Sequence, residues 1–227
     1  MNTQKRWKKY GHCLLLLYLP VFLLLFYLLE QYTAPSYTDV YCRFDEYIPF
    51  MEGFVIPYLL WFPFIIGGLI LFTVLSVRIP DVKQDFMRLT FFLIVGLSVC
   101  LTLYFLFPTC LNLRPSHYPR DNALTRLCGV IQGIDPPTNV CPSIHVYTTL
   151  VLLYCVFGSR GLLKAASGKV KNGHIWLRCG CLALGVLIVL STLFIRQHSV
   201  VDVVFALILS LILYVPAGWF GRRFAIN

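Results

Sequence analysis

The chain has 227 residues, 58% of them hydrophobic and only 13% charged, with a net charge of +9. A soluble domain of this size would expose far more apolar surface than water tolerates, so the composition points to lipid as the solvent. The positive charge alone admits a nucleic-acid partner, but its distribution along the chain argues against one.

Six charge-poor runs approach the roughly 17–25 residues that a helix needs to cross the hydrocarbon core. They are 13–29, 54–77, 88–107, 144–158, 175–195 and 200–220, the fourth being the shortest. Barrel strands would alternate apolar with polar residues, whereas these runs are continuous, so the predicted fold is all-α. The expected architecture is a polytopic membrane bundle of six transmembrane helices, forming a single domain over 1–227. "KRWKK" before the first run resembles a signal peptide. That apolar run exceeds the usual 7–15-residue signal core, and "QYTAPSY" offers no small-x-small cleavage site, so a retained anchor is expected.

Between the first two runs lies an acidic, aromatic segment, "EQYTAPSYTDVYCRFDEYIPFMEG". The second run holds Pro57, Pro63 and the pair Gly67-Gly68, which suit kinks or close helix contacts within a bundle. A short basic connection, "RIPDVKQD", leads to the third run. The longest polar segment, 108–143, is read as a loop carrying part of the active site, since loops this long are usually functional or disordered. Trp7, Trp61, Trp176 and Trp219 fall near run ends, as interface anchoring predicts.

Charge sets the orientation. With the N-terminus in the cytoplasm, the inner segments carry Lys5, Arg6, Lys8, Lys9, Arg78, Lys83, Arg88, Arg160, Lys164, Lys169, Lys171, Arg178, Arg222 and Arg223. Only Arg43, Arg114, Arg120, Arg126 and Arg196 fall outside. This is the positive-inside pattern, with both termini cytoplasmic. Among the nine cysteines, Cys13, Cys100, Cys155, Cys179 and Cys181 lie in or beside spans and suit packing. Cys42, Cys110, Cys128 and Cys141 lie outside, where disulfides are permitted, and four cysteines allow three pairings.

Two fragments bring polar groups to predicted span edges. In "CPSIH" (141–145), Pro142 suits a first helical position, which leaves the N–H groups around Ser143, Ile144 and His145 free to bind an anion. Ser143 adds a hydroxyl and His145 a titratable proton donor. In "RQHSVVD" (196–202), His198 and Asp202 are four apart and share a helix face. The acid can hold one ring nitrogen protonated and leave the other as a nucleophile or base. An aspartate inside a span costs about 2.5–3.5 kcal/mol on insertion scales, so Asp202 should have a partner. Arg196 stands at the same edge, as does Arg114. The six-span topology returns both histidines to one face, where together they describe a site for a phosphate carried on a lipid.

On these residues the chain resembles the type-2 phosphatidic acid phosphatase superfamily, integral membrane lipid phosphatases related in fold to vanadium haloperoxidases. The family pattern is Lys-x6-Arg-Pro, then Pro-Ser-Gly-His, then Ser-Arg-x5-His-x3-Asp. Arg114-Pro115 matches the end of the first part, and Pro142, Ser143 and His145 match the second, with Ile144 in place of glycine. Ser191, His198 and Asp202 match the third. Phe107 stands where the pattern has lysine and Thr192 where it has arginine, so two cations are missing. Arg196, one turn beyond Thr192, is the expected substitute for the second. Arg120 and Arg126 are the remaining cations able to fold back in place of the first.

The resemblance implies a mechanism. His198 attacks phosphorus, oriented by Asp202, and forms a phosphohistidine. His145 protonates the leaving group, while Arg114, Arg196, Ser143 and the Ile144 N–H hold the phosphoryl oxygens. No metal or other cofactor is called for, and the expected partner is a membrane lipid phosphate, not nucleic acid. The activity implied is hydrolysis of a phospholipid or isoprenyl (di)phosphate at the extracytoplasmic face of the plasma membrane. A lipid phosphotransferase, like inositol phosphorylceramide or sphingomyelin synthase, would use the same histidines with varied cations. A non-catalytic lipid-binding relative is the third alternative. A serine protease built on Ser143 is disfavoured by Pro142 and by the lack of Gly-x-Ser-Gly.

Overall fold

Helix α1, Gly11–Gln31, opens the computed structural model, which describes residues 9–225. The expectations for Lys5, Arg6, Trp7 and Lys8 lie outside the described residues. Four more long helices follow: α2 (Glu52–Ser76), α3 (Pro80–Leu106), α7 (Gly173–Phe194) and α8 (Val200–Ala225). These five are each long and apolar enough to cross a membrane. The fourth predicted span is helix α5, Ile144–Gly158, followed by α6, Arg160–Lys169, with a bend of 69° between them.

Ser159 makes that bend. Its backbone is extended and its Oγ accepts the Leu162 N–H at 3.2 Å, so one helix stops and a new one is capped. Helix α6 then carries Arg160, Lys164 and Lys169 and cannot continue through hydrocarbon. The fifteen residues of α5 rise only about 22 Å, less than the core of a typical bilayer. Among the described residues, five helices are long and apolar enough to span, and a sixth where the bent pair is counted as one.

The segment 108–143 differs from the loop expected. Residues Ala123–Ile134 form helix α4, which Asn122 caps by accepting the Leu124 and Thr125 N–H groups at 2.9 and 3.0 Å. Thr125 Oγ1 accepts the Asn122 N–H in return, a reciprocal cap. Cys128 and Ile131 of α4 then bury against Val55 and Tyr58 of α2. Strand β1 (Thr38–Asp39) pairs in parallel with β2 (Thr109–Cys110), which ties the first polar segment to the second. Both segments thus form one structured cap over the bundle end that carries the histidines. All nine cysteines, including Cys42, Cys110, Cys128 and Cys141, are free thiols.

Helix α8 packs along α3 and α5, and α5 along α7. The core between them includes Phe72, Phe86, Phe92, Tyr147, Val151 and Ala206. Helix α3 widens to π-helical geometry over Phe92–Gly96, and the Tyr147 hydroxyl donates to the Phe92 carbonyl at 2.7 Å. A Cβ at Gly96 would collide with that hydroxyl. Gly96→Ala is therefore expected to cost about 1–3 kcal/mol by overpacking. A lowered thermal midpoint in detergent is the measurement, and an unchanged one would show that Tyr147 can move aside.

Candidate active site

Helix α5 begins two residues later than proline placement suggests, at Ile144. Ser143 is its N-cap, and Oγ accepts the Val146 N–H at 3.3 Å. The Ser143 N–H donates to the Asp202 carbonyl at 3.3 Å. Ser143 is fully buried, so its groups hold α5 against α8. Pro142 precedes the cap and is joined to Cys141 by a cis peptide bond, and Tyr104 donates to its carbonyl. The Ile144 and His145 N–H groups belong to the first turn and have no intrahelical acceptor.

The second histidine lies in a turn and not on the last helix. Helix α7 stops at Phe194, and the N–H groups of Gln197 and His198 both return to the Thr192 carbonyl at 3.0 Å. Thr192, at the family's arginine position, is buried within this turn. The four-residue spacing still brings the expected pair together, because Asp202 sits in the first turn of α8 and reaches back over it. Asp202 Oδ2 lies 3.1 Å from His198 Nδ1 and accepts the Ser199 N–H at 2.9 Å. A carboxylate accepts only, so His198 carries its proton on Nδ1 and turns the Nε2 lone pair outward.

That lone pair meets the other motif. His198 Nε2 and His145 Nδ1 are 3.4 Å apart, although 53 residues separate them in the chain. The His145 ring lies against Tyr58 and Trp61, with centroid separations of 4.7 and 4.4 Å. Trp61 Nε1 donates to Thr148 at 3.0 Å, so this tryptophan, expected as an interface anchor, forms a wall of the site. Trp176 and Trp219 are exposed, as anchors would be. Both histidines line a cavity of about 380 Å³, bounded also by Phe22, Phe26 and Glu30 of α1 and by Tyr58, Tyr104, Asp135 and Gln197.

The arginines are placed differently from the expectation. Arg196 does not continue the face of Thr192. Its residue adopts φ 60°, and its guanidinium donates to the carbonyls of Asp45 and Ile48, away from the histidines. The chain has left the helix by then, so helical spacing no longer applies. The exposed Arg120 pairs with the buried Glu52, and Arg126 pairs with Asp121 on the surface, so neither folds back. Phe107 is 65% exposed, and among the described residues no lysine or arginine lines the cavity in place of the missing lysine.

Arg114 comes nearest. It donates to the carbonyls of Gln132 and Asp135, both at 2.7 Å, and to Gln197 Oε1 at 2.5 Å. It therefore stands behind Gln197 and does not line the cavity. Burial draws its pKa below the ordinary value, and the Asp135 charge offsets part of that. At the other edge, burial first and then Asp202 push the Cys141 thiol up to about 12, which keeps it protonated beside the histidine pair.

With these groups in place, the motif match extends from isolated spacings to a connected geometry. The family model of the PAP2 superfamily matches residues 88–223. The chain belongs to the PAP2 superfamily. No curated protein and no solved structure matches it. Membership and the apolar helices together fit a membrane lipid phosphatase. The PAP2 match contains Arg114, His145, His198 and Asp202 but omits α1 and α2, which supply the opposite wall of the cavity.

Several site residues escaped the reading of the sequence. Gln197 adjoins His198 and was the nearest available signal. Asp135 accepts the Tyr58 hydroxyl at 2.9 Å, yet lies in a segment read as loop. Glu30 ends the first apolar run, which places an acid beside lipid, and such residues merit attention by cost alone. Nothing local marks Tyr58.

Proposed function

We propose that this PAP2 protein is an integral membrane lipid phosphatase that cleaves a phospholipid or isoprenyl (di)phosphate ester at the extracytoplasmic face, through a phosphohistidine. One observation carries the reading: Asp202, His198 and His145 form a hydrogen-bonded line whose inner end opens into an apolar cavity. In this reading His198 Nε2 attacks phosphorus, the ester oxygen departs with a proton from His145, and water later releases phosphate from His198. The Ile144 N–H offers an oxyanion donor. Ser143 sets the helix start, and Arg114 acts from behind Gln197. The basic residues of the opposite bundle end support cytoplasmic placement of that end.

A second reading, lipid phosphotransfer, is favoured by the charge of the cavity wall. Among the described residues it holds Glu30 and Asp135 but neither lysine nor arginine, a poorer setting for binding a dianionic phosphate monoester than for the singly charged diester of a head-group donor. Lipid phosphates presented in detergent with EDTA separate the two. Free phosphate from phosphatidic acid or undecaprenyl diphosphate marks hydrolysis. A new lipid carrying the head group, without phosphate, marks transfer. Neither product in any lipid of the panel would leave only a binding role.

A further inference from the structure

The cavity has a donor that no family motif supplies. Gln197 is 2% exposed, lines the cavity beside His198, and immediately precedes it in the turn. Its amide orientation is settled by its neighbour. Arg114 has donors only, so the Gln197 atom facing it must be the carbonyl oxygen, which it meets at 2.5 Å. The other end of the same planar group, Nε2, is buried without a hydrogen-bond partner. The nearby Tyr58 hydroxyl gives its proton to Asp135, and its oxygen stands near the Gln197 amide without completing a hydrogen bond to it. An unpaired N–H at this depth is costly unless a ligand completes it.

We propose that Gln197 Nε2 is the donor to a nonbridging phosphate oxygen of the substrate, aimed by Arg114 and standing in for the cations absent at Phe107 and Thr192. The inference rests on the phosphate-ester reading of the site. It assigns Arg114 a positioning role: the guanidinium grips the Gln197 oxygen and the carbonyls of Gln132 and Asp135, and so fixes where the amide nitrogen points. Charge that the family pattern places directly on phosphate is here relayed through a neutral, polarised amide. The donor and His198 share one turn, pinned by the two N–H bonds to the Thr192 carbonyl, so donor and nucleophile keep a constant separation.

Gln197→Glu tests the assignment. The carboxylate keeps an acceptor for Arg114, so the thermal midpoint should hold within a few degrees. It replaces the N–H aimed at phosphate with a repelling oxygen, so kcat/KM for the lipid phosphate should fall by about 100-fold or more. Inhibition by orthovanadate should weaken in parallel. Activity within about threefold of wild type would overturn the proposal and leave Gln197 only as the brace for Arg114. If Gln197→Glu does not fold, Gln197→Met, of similar length and uncharged, carries the same comparison and the same overturning result. Should the wild type cleave no lipid phosphate, the enzymatic reading fails, and orthovanadate binding decides the donor separately. Binding lost in Gln197→Glu supports it. Equal binding, or none by the wild type, overturns it.

Discussion

Replacing His198 with alanine is expected to abolish lipid-phosphate turnover, by about 10⁴-fold or more, while the folded protein persists. The size follows from the role proposed for Nε2. Removing a nucleophile that forms a covalent intermediate eliminates the reaction path and does not merely slow it, and comparable deletions cost about 10⁶-fold in kcat. Structure should survive because the imidazole borders an existing cavity and its truncation enlarges that space. The main structural debit is Asp202, which keeps the Ser199 N–H as a partner but loses the ring. Phosphate release measured beside the thermal midpoint checks both halves. Retained turnover with a normal midpoint would remove His198 from the chemistry.

The pairing behind that expectation was legible from letters four apart, whereas its setting was not. The spacing of His198 and Asp202 survives the discovery that His198 sits in a turn, because a first-turn acid reaches back across a helix start as readily as along a helix. The five long apolar runs were legible for a different reason: in lipid the backbone must satisfy itself, so apolar length alone dictates a helix. The bend at Ser159 was not, since a short apolar run and a polar one give no sign of their angle. Helix α4 carried a signal in Asn122 and Thr125, three apart, obscured by the prolines that flank the segment.

Arginine is where reading by position fails. Arg196 has the right depth and the right distance from His198 in sequence, yet one left-handed residue turns it toward carbonyls more than 140 positions away. Arg114 does match the motif, but tertiary bonds set it one residue behind the cavity wall. A guanidinium with five donors satisfies whatever carbonyls the fold brings to it. Which ones it meets is a property of long-range packing, invisible to spacing. Trp61 makes the same point for an aromatic residue: position near a span end predicts an anchor, and its contact with His145 arises only when α2 and α5 meet.

The carbonyl that Arg196 grips belongs to Asp45, and this reciprocal latch is where the largest loss of stability is expected. Asp45 is buried at 1% exposure and its carboxylate accepts three bonds. Oδ1 takes the Val200 N–H at 2.8 Å, while Oδ2 takes the Ser199 hydroxyl at 2.6 Å and the Cys42 N–H at 2.9 Å. A residue from the first polar segment thus caps the last helix, with its charge at the positive end of the helix dipole. Asp45→Ala orphans the part-buried Val200 and Cys42 N–H groups and the buried Ser199 hydroxyl together, and an unsatisfied buried group costs about 1–3 kcal/mol. The sum expected is about 2–5 kcal/mol, which lowers the thermal midpoint by roughly 5–15 °C for a chain of this length. Because Ser199 links His198 to Asp202, loosening the cap frees the histidine's orientation as well. Amide exchange in the first turn of α8 should quicken more than in α5. Asp45→Asn, which retains one acceptor oxygen but not the charge, should fall between alanine and wild type. A midpoint unmoved by Asp45→Ala would mean that α8 holds its start without the latch, and that Arg196 alone secures the loop.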